Sequence, residues 1–248
     1  MKKQLFILAT ITTIVFTSCS KEKIEAPQTN QPEEIAGARG GGGIVSPSLG
    51  HGLIGRFEFD GNLDDMTGQI KPGTPATGTP IYGADRKGTK GSAISFNEKY
   101  GVILNDVPLD SNMSISFWMK YDMTPVDYFI TFVEGTGSFA FQHRDRNKFQ
   151  GGYWNYTTPA FIVSKSLVNT WHQMAATRDN NTYKFYIDGK LVGSTPILTA
   201  GAVPYTTNQY LLGFAYNAGY KYWKGSLDDL RIYNRVITAT EVQALFNL

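Results

Sequence analysis

The chain has 248 residues, 42% of them hydrophobic and 18% charged, with 23 basic and 21 acidic side chains and a formal net charge of +2. That length holds one β-sandwich or two small domains, and so even a charge balance gives no field for gathering DNA or anionic membranes. Cys19 is the only cysteine, which excludes a disulfide within the chain.

Met1-Lys2-Lys3 is a basic start, Leu5 to Phe16 an apolar run, and Thr17-Ser18-Cys19 a small-residue site. This is the layout of a secretory signal, because the apolar run is too short to span a bilayer. Residues 1–18 are therefore read as a signal peptide. Losing Lys2 and Lys3 with it brings the remaining chain to a formal charge of zero. Cys19 resembles the lipid-attachment cysteine of a bacterial lipoprotein, with Phe16 standing where such signals usually carry Leu. The other reading is plain cleavage near Ser18 that leaves a free thiol. Residues 19–51 then form a flexible tether. They carry Pro27, Pro32, Pro47, Glu33-Glu34 and the run Gly40 to Gly43, a composition that buries too little apolar surface to order itself. Ser20-Lys21-Glu22-Lys23 loosely resembles charged export signals of surface lipoproteins. The expectation is an outer membrane lipoprotein displayed at the cell surface, attached to the membrane through its lipid alone.

Residues 52–248 read as one domain. Candidate strands are 53–59, 92–96, 100–104, 113–121, 128–133, 138–142, 148–154, 160–163, 171–177, 183–188, 190–194, 209–214, 222–226 and 228–233, nearly all separated by turn residues. Met113 to Tyr121 alternates Ile115, Phe117 and Met119 against Ser114, Ser116 and Trp118, the pattern of a strand with two differently lined faces. Asp188-Gly189 supplies a two-residue hairpin turn between the strands on either side. The chain closes on a helix. Thr238-Ala239-Thr240-Glu241 is a capping box, Ile237 and Val242 a hydrophobic staple, and Val242, Leu245 and Phe246 a face to dock.

The order of three motifs is specific: Trp171-His172-Gln173-Met174-Ala175, Tyr183 through Gly193, and Gly225-Ser226-Leu227-Asp228-Asp229-Leu230-Arg231-Ile232-Tyr233-Asn234-Arg235. Upstream, Leu53 to Asp65, Gly91 to Asn97 and Ile115 to Lys120 extend the match. Together they resemble the laminin-G-like / concanavalin A-like lectin domain of bacterial surface proteins, over about residues 53–246. The resemblance implies an all-β, concanavalin A-like jelly-roll β-sandwich of two antiparallel sheets with a short C-terminal helix. It also implies that first and last strands lie close together. Glu98-Lys99-Tyr100-Gly101 departs from the Gly-Asp-rich turn that many relatives carry, so a ligand role for that turn does not transfer. The family hosts sugar binders, adhesion modules and, in distant branches, enzymes, so fold does not settle function.

Glycosidases need two carboxylates flanking one bond. The nearest approach is Glu58-Phe59-Asp60, which no second glutamate follows, and it reads as structural. A serine or cysteine nucleophile needs a base. His51 sits at the tether edge, His172 is a packed or rim histidine, and His143 lies in a polar loop. Arg86-Lys87 with Lys90 reads as a solvated basic cluster. Asp60 to Asp65 starts like an EF-hand but lacks its glycine at position six and its glutamate at position twelve. Asp60, Asn62 and Asp228 remain as ligands for a structural calcium ion. The alternative is that they are turn-forming acids with Asx-type caps. Trp154 and Tyr156, beside Gly151 and Gly152, can stack on sugar rings, with Gln142 and Arg144 giving polar contacts from positions alternating with Phe139 and Phe141. The expected function is therefore binding of a polysaccharide or glycan without catalysis. A protein-adhesion or structural role with envelope proteins is the rival, and a hydrolase or lyase a third. No nucleic-acid partner is expected.

Overall fold

The computed structural model describes residues 48–108, 110–122, 130–135, 140–144, 148–152, 159–163, 167–197, 208–214 and 222–248. The signal peptide, Cys19 and most of the tether lie outside the described residues, as do Trp154 and Tyr156. The strands are β1 (Leu53–Phe57), β2 (Thr74–Pro75), β3 (Tyr82–Ala84), β4 (Lys90–Asn97), β5 (Val102–Leu104), β6 (Met113–Tyr121), β7 (Ile130–Gly135) and β8 (Ala140–Arg144). They continue with β9 (Lys148–Gly152), β10 (Pro159–Val163), β11 (Trp171–Arg178), β12 (Thr182–Ile187), β13 (Lys190–Pro196), β14 (Tyr210–Leu212) and β15 (Lys224–Tyr233). Helix α1 spans Ala239–Phe246.

Two antiparallel sheets result. One runs β13-β12-β11-β6-β15-β4-β3 with β1 added against β15, and the other runs β10-β9-β8-β7-β14-β5-β2. The alternation in β6 explains how they stack. Met113, Ile115, Phe117, Met119 and Tyr121 are fully buried between the sheets, each such burial stabilising by roughly 1.5–3 kcal/mol. Phe141 of β8 reaches across, its ring edge-on to Phe117 at 4.9 Å and to Phe185 at 5.7 Å. Gly225 lets β15 lie close to β6, since a Cβ there would stand 2.5 Å from the Lys120 carbonyl oxygen.

The other face of the first sheet is half covered by α1. Ile237, Val242 and Leu245 pack on Ala175, Tyr186 and Tyr233 in a second apolar cluster, with Leu49 and Leu53 at its margin. Polar residues beneath the helix are satisfied one by one. Ser114 Oγ donates to the Arg235 carbonyl and accepts from Ile237 N–H. Gln173 Nε2 donates to Ser116 Oγ and the Val242 carbonyl, and its Oε1 accepts from Gly189 N–H. The capping box forms as the sequence predicts, with Thr238 Oγ1 accepting from Glu241 N–H at 3.2 Å and Thr238 N–H donating to Glu241 Oε2 at 2.7 Å. Asp188 and Gly189 both take positive φ, 51° and 75°, as the hairpin requires. Tyr233 OH donates to the Leu49 carbonyl, and Arg235 Nε donates to the His51 carbonyl. Among the described residues, packing against the sandwich begins at Leu49.

Most expected strands recur within two residues at either end. The strands expected at 222–226 and 228–233 are one strand, Lys224–Tyr233, with a bulge at Asp228-Asp229 in place of the expected break at Leu227. Strands β2 and β3 escape sequence reading, being two and three residues long and without buried alternation.

Candidate functional site

Strand β15 exchanges partners halfway along one edge. Lys224–Leu227 pair with β4, and Leu230–Tyr233 pair with β1, so the first strand meets the last as expected. Asp228 and Asp229 fall between. On the other edge, three steps of β15 from Asp228 to Arg231 match two steps of β6 from Trp118 to Ser116, and the extra residue takes φ 45° at Asp229. Such bulges redirect side chains and end pairing locally. Where β4 and β1 part, a polar cleft of about 280 Å³ opens.

Three chain segments supply its charged side chains. Arg56, Glu58 and Asp60 come from β1 and the turn after it, Asp85, Arg86 and Lys87 from the β3–β4 turn, and buried Asp228, Asp229 and Arg231 from β15. Arg231 grips Asp229 with two parallel bonds, Nε to Oδ1 at 2.8 Å and Nη2 to Oδ2 at 3.0 Å, the planar match that guanidinium and carboxylate make best. Arg86 donates to Asp228 Oδ2 at 2.5 Å and to Asp229 Oδ2 at 3.4 Å, while its guanidinium lies 5.1 Å from the Trp118 ring centre. Arg56 pairs with Glu58. Burial pushes the Asp228 carboxyl up to about 6; Arg86 pulls it down, and neighbouring Asp229 adds to the rise.

Arg86 corrects the sequence reading. Expected as part of a solvated basic cluster, its side chain is 12% exposed and locked onto Asp228, 142 residues away. Of the residues expected around a cation, Asp60 and Asp228 both line the cleft. Asn62 instead caps its own turn, Oδ1 accepting from Asp64 N–H at 2.9 Å and Nδ2 donating to the Asp60 carbonyl at 3.3 Å. A guanidinium supplies the countercharge beside Asp228. Among the described residues no group of three His, Cys, Asp or Glu side chains gathers as a metal shell.

Of the residues expected to contact a sugar, Gln142 and Arg144 lie in β8 of the other sheet. Gln142 pairs in register with Thr131 of β7 and Gln150 of β9, and Arg144 with Lys148. Phe141 beside it is buried between the sheets, so Gln142 takes the opposite face, yet it is only 7% exposed. His172 is the packed histidine expected, Nδ1 at 2.8 Å from Asp188 Oδ2 and Nε2 at 2.8 Å from Thr170 Oγ1.

Two antiparallel sheets joined in this strand order, with the terminal strands paired and a helix on one flank, define a lectin-type jelly roll. Residues 96–243 match the model of the concanavalin A-like lectin/glucanases superfamily, and the chain belongs to that superfamily. It is similar to domain 4 of AbnA, a GH43 extracellular arabinanase from Geobacillus stearothermophilus, solved in complex with arabinotriose. The identity is 23%, the TM-score 0.63, and the match covers 78% of this chain and 97% of that one. A botulinum neurotoxin type C structure, concerned with cell entry through two ganglioside molecules, matches at 14% identity and TM-score 0.61, over 79% of this chain and 51% of that one. The binding domain of botulinum neurotoxin DC, solved with rat synaptotagmin II, matches at 13% identity and TM-score 0.62, over 79% and 51%. At these identities the likeness is one of fold, and this chain spans about half the length of the two toxin chains. No curated protein sequence matches the chain.

Proposed function

We propose that this domain binds carbohydrate without cleaving it and is carried on a lipid-anchored envelope protein. The observation that carries the reading is the match to nearly the whole of domain 4 of an arabinanase, solved in complex with arabinotriose. The ganglioside-dependent toxin on the same fold supports it. The non-catalytic part rests on where the carboxylates are spent. Glu58, Asp228 and Asp229 are each bound to a guanidinium, whereas glycoside cleavage needs an acid and a base turned toward one glycosidic oxygen and carbon. In this reading Trp154 and Tyr156 are the stacking groups, and Gln142 and Arg144 the polar contacts. The full chain is expected to be retained on its cognate glycan, and Trp154→Ala to lose that retention at unchanged melting temperature. Release of reducing sugar by the wild type would sink the non-enzyme part.

A protein-adhesion role is the second reading, supported by the toxin domain solved with synaptotagmin. Capture of a defined envelope protein, insensitive to free glycan, would favour it. For the anchor, Cys19→Ala is expected to abolish acyl labelling and release the protein from the membrane fraction. Labelling that survives the substitution would remove the lipid from Cys19.

A further inference from the structure

We propose that the cleft at the β15 bulge is a second ligand site, which takes one neutral sugar unit. It lies on the opposite sheet from Gln142, and it rests on the carbohydrate reading for the class of its ligand only.

The space is built into the topology. With β4 pairing as far as Leu227 and β1 starting at Leu230, no strand among the described residues covers the edge of β15 at Asp228-Asp229. The opening of about 280 Å³ falls just below the roughly 300–1,000 Å³ usual for small-molecule sites. That room suits one ring and not a chain running through.

Charge decides the class. Arg56, Arg86, Lys87 and Arg231 face Glu58, Asp60, Asp85, Asp228 and Asp229 around the opening. Three guanidiniums are already matched to carboxylates within it. What remains is Lys87 against Asp60 and Asp85, a formal excess of one negative charge that disfavours a free anion, and among the described residues no three acids gather to hold a metal ion. What the cleft offers is fixed donors and fixed acceptors side by side. A hydroxyl both donates and accepts, and a ring bearing several of them satisfies such a lining. Carboxylate and guanidinium groups held by one another lose little freedom on binding, which removes part of the usual cost.

The groups left for the ligand stand at the mouth. Lys87 and Asp60 are exposed and make no ion pair with another described residue, and Ser92 adds a hydroxyl. Asp85 Oδ1 is held by Lys87 N–H and Thr89 N–H, which fixes the turn that presents Lys87. Leu248, 48% exposed, gives the rim an apolar surface for the ring's C–H face.

The test is calorimetric titration of the full chain with neutral monosaccharides, the matching uronates and calcium chloride, with hydrogen exchange to locate the response. A neutral sugar is expected to bind and to protect residues 56–60 and 85–92. The Asp60→Ala/Lys87→Ala double variant should weaken that binding by about tenfold or more, the loss of charged hydrogen bonds, with an unchanged melting temperature. Trp154→Ala should leave it intact. Binding of uronates alone or calcium alone at these residues overturns the inference. So does loss of all sugar binding in Trp154→Ala with the cleft unprotected, an outcome that leaves the proposed function standing. Sugar binding confined to the cleft, intact in Trp154→Ala, would uphold this site and remove the Trp154 platform.

Discussion

Asp65→Ala is expected to cost the domain roughly 2–4 kcal/mol, summed from the few donors it would leave buried without a partner. Asp65 is 9% exposed and sits inside the loop that follows β1. Its Oδ1 accepts from Arg56 N–H at 2.7 Å and Thr67 N–H at 3.0 Å. Its Oδ2 accepts from Gln69 N–H and Ile70 N–H, both at 2.9 Å, and from Thr67 Oγ1 at 2.6 Å. Water can reach Gln69 once the carboxylate is gone, but Ile70 is buried. The midpoint of thermal unfolding should fall by about 5–15 °C for a domain of this size. Burial alone would raise this carboxyl; the bonds from Thr67, Arg56 and Ile70 outweigh it and hold the pKa below its usual value. A lowered folded pKa means that the stabilisation is complete above the unfolded value and is lost as pH falls through the folded one. The variant should therefore lack part of the wild type's acid-unfolding limb. A midpoint shift under 2 °C would show that the loop holds without its hub.

Arg86→Ala is expected to be as severe at neutral pH. It leaves Asp228, 4% exposed, as an unpaired charge, and breaking such a pair from one side costs on the order of 3–5 kcal/mol. The pH dependence has the opposite sign from that of Asp65. The Asp228 carboxyl stands at about 6 in the folded protein, above the 3.8 of an ordinary aspartate. The folded state therefore binds more protons in that window, and this group's contribution makes stability rise as pH falls from about 6 toward 4. Without Arg86 pulling it down, the carboxyl rises further, so the deficit of the variant should shrink between pH 8 and pH 5. Adding Asp228→Asn should recover part of the loss, because the stranded charge is then gone. A deficit that stays constant across that range would mean that Arg86 acts through its packing on Trp118 instead.

What the sequence discloses follows from the range of the forces involved. Alternation in β6, the Asp188-Gly189 turn and the Thr238–Glu241 cap are local, set within a few residues, and each forms as read. Asp65 and Arg86 are a different matter. Asp65 looks like any acid in a turn, and only the folded loop aims four backbone and hydroxyl groups from Thr67, Gln69 and Ile70 at it. Arg86 sits in a Gly-rich turn whose composition says solvent; its partner is found only when β15 lies beside β4. The strand break read at Leu227, just before Asp228-Asp229, is a bulge in the folded protein, and the guanidiniums there let two acids lie within one strand.

The exchange of partners along β15 also sets an order of events in time. Phe57 of β1 waits for Leu230, 173 residues later in the chain. At about 5–20 residues per second of synthesis, roughly nine to thirty-five seconds pass before that partner exists. Until Lys224–Tyr233 arrives, β1, β4 and β6 each present an open edge toward the place it will fill. Closure of the sandwich is thus a late, long-range step, the kind that is slow and leaves strands open to wrong partners meanwhile. A chain cut short before Lys224 would keep most of its apolar residues and lose the strand that joins β1 and β4 to β6.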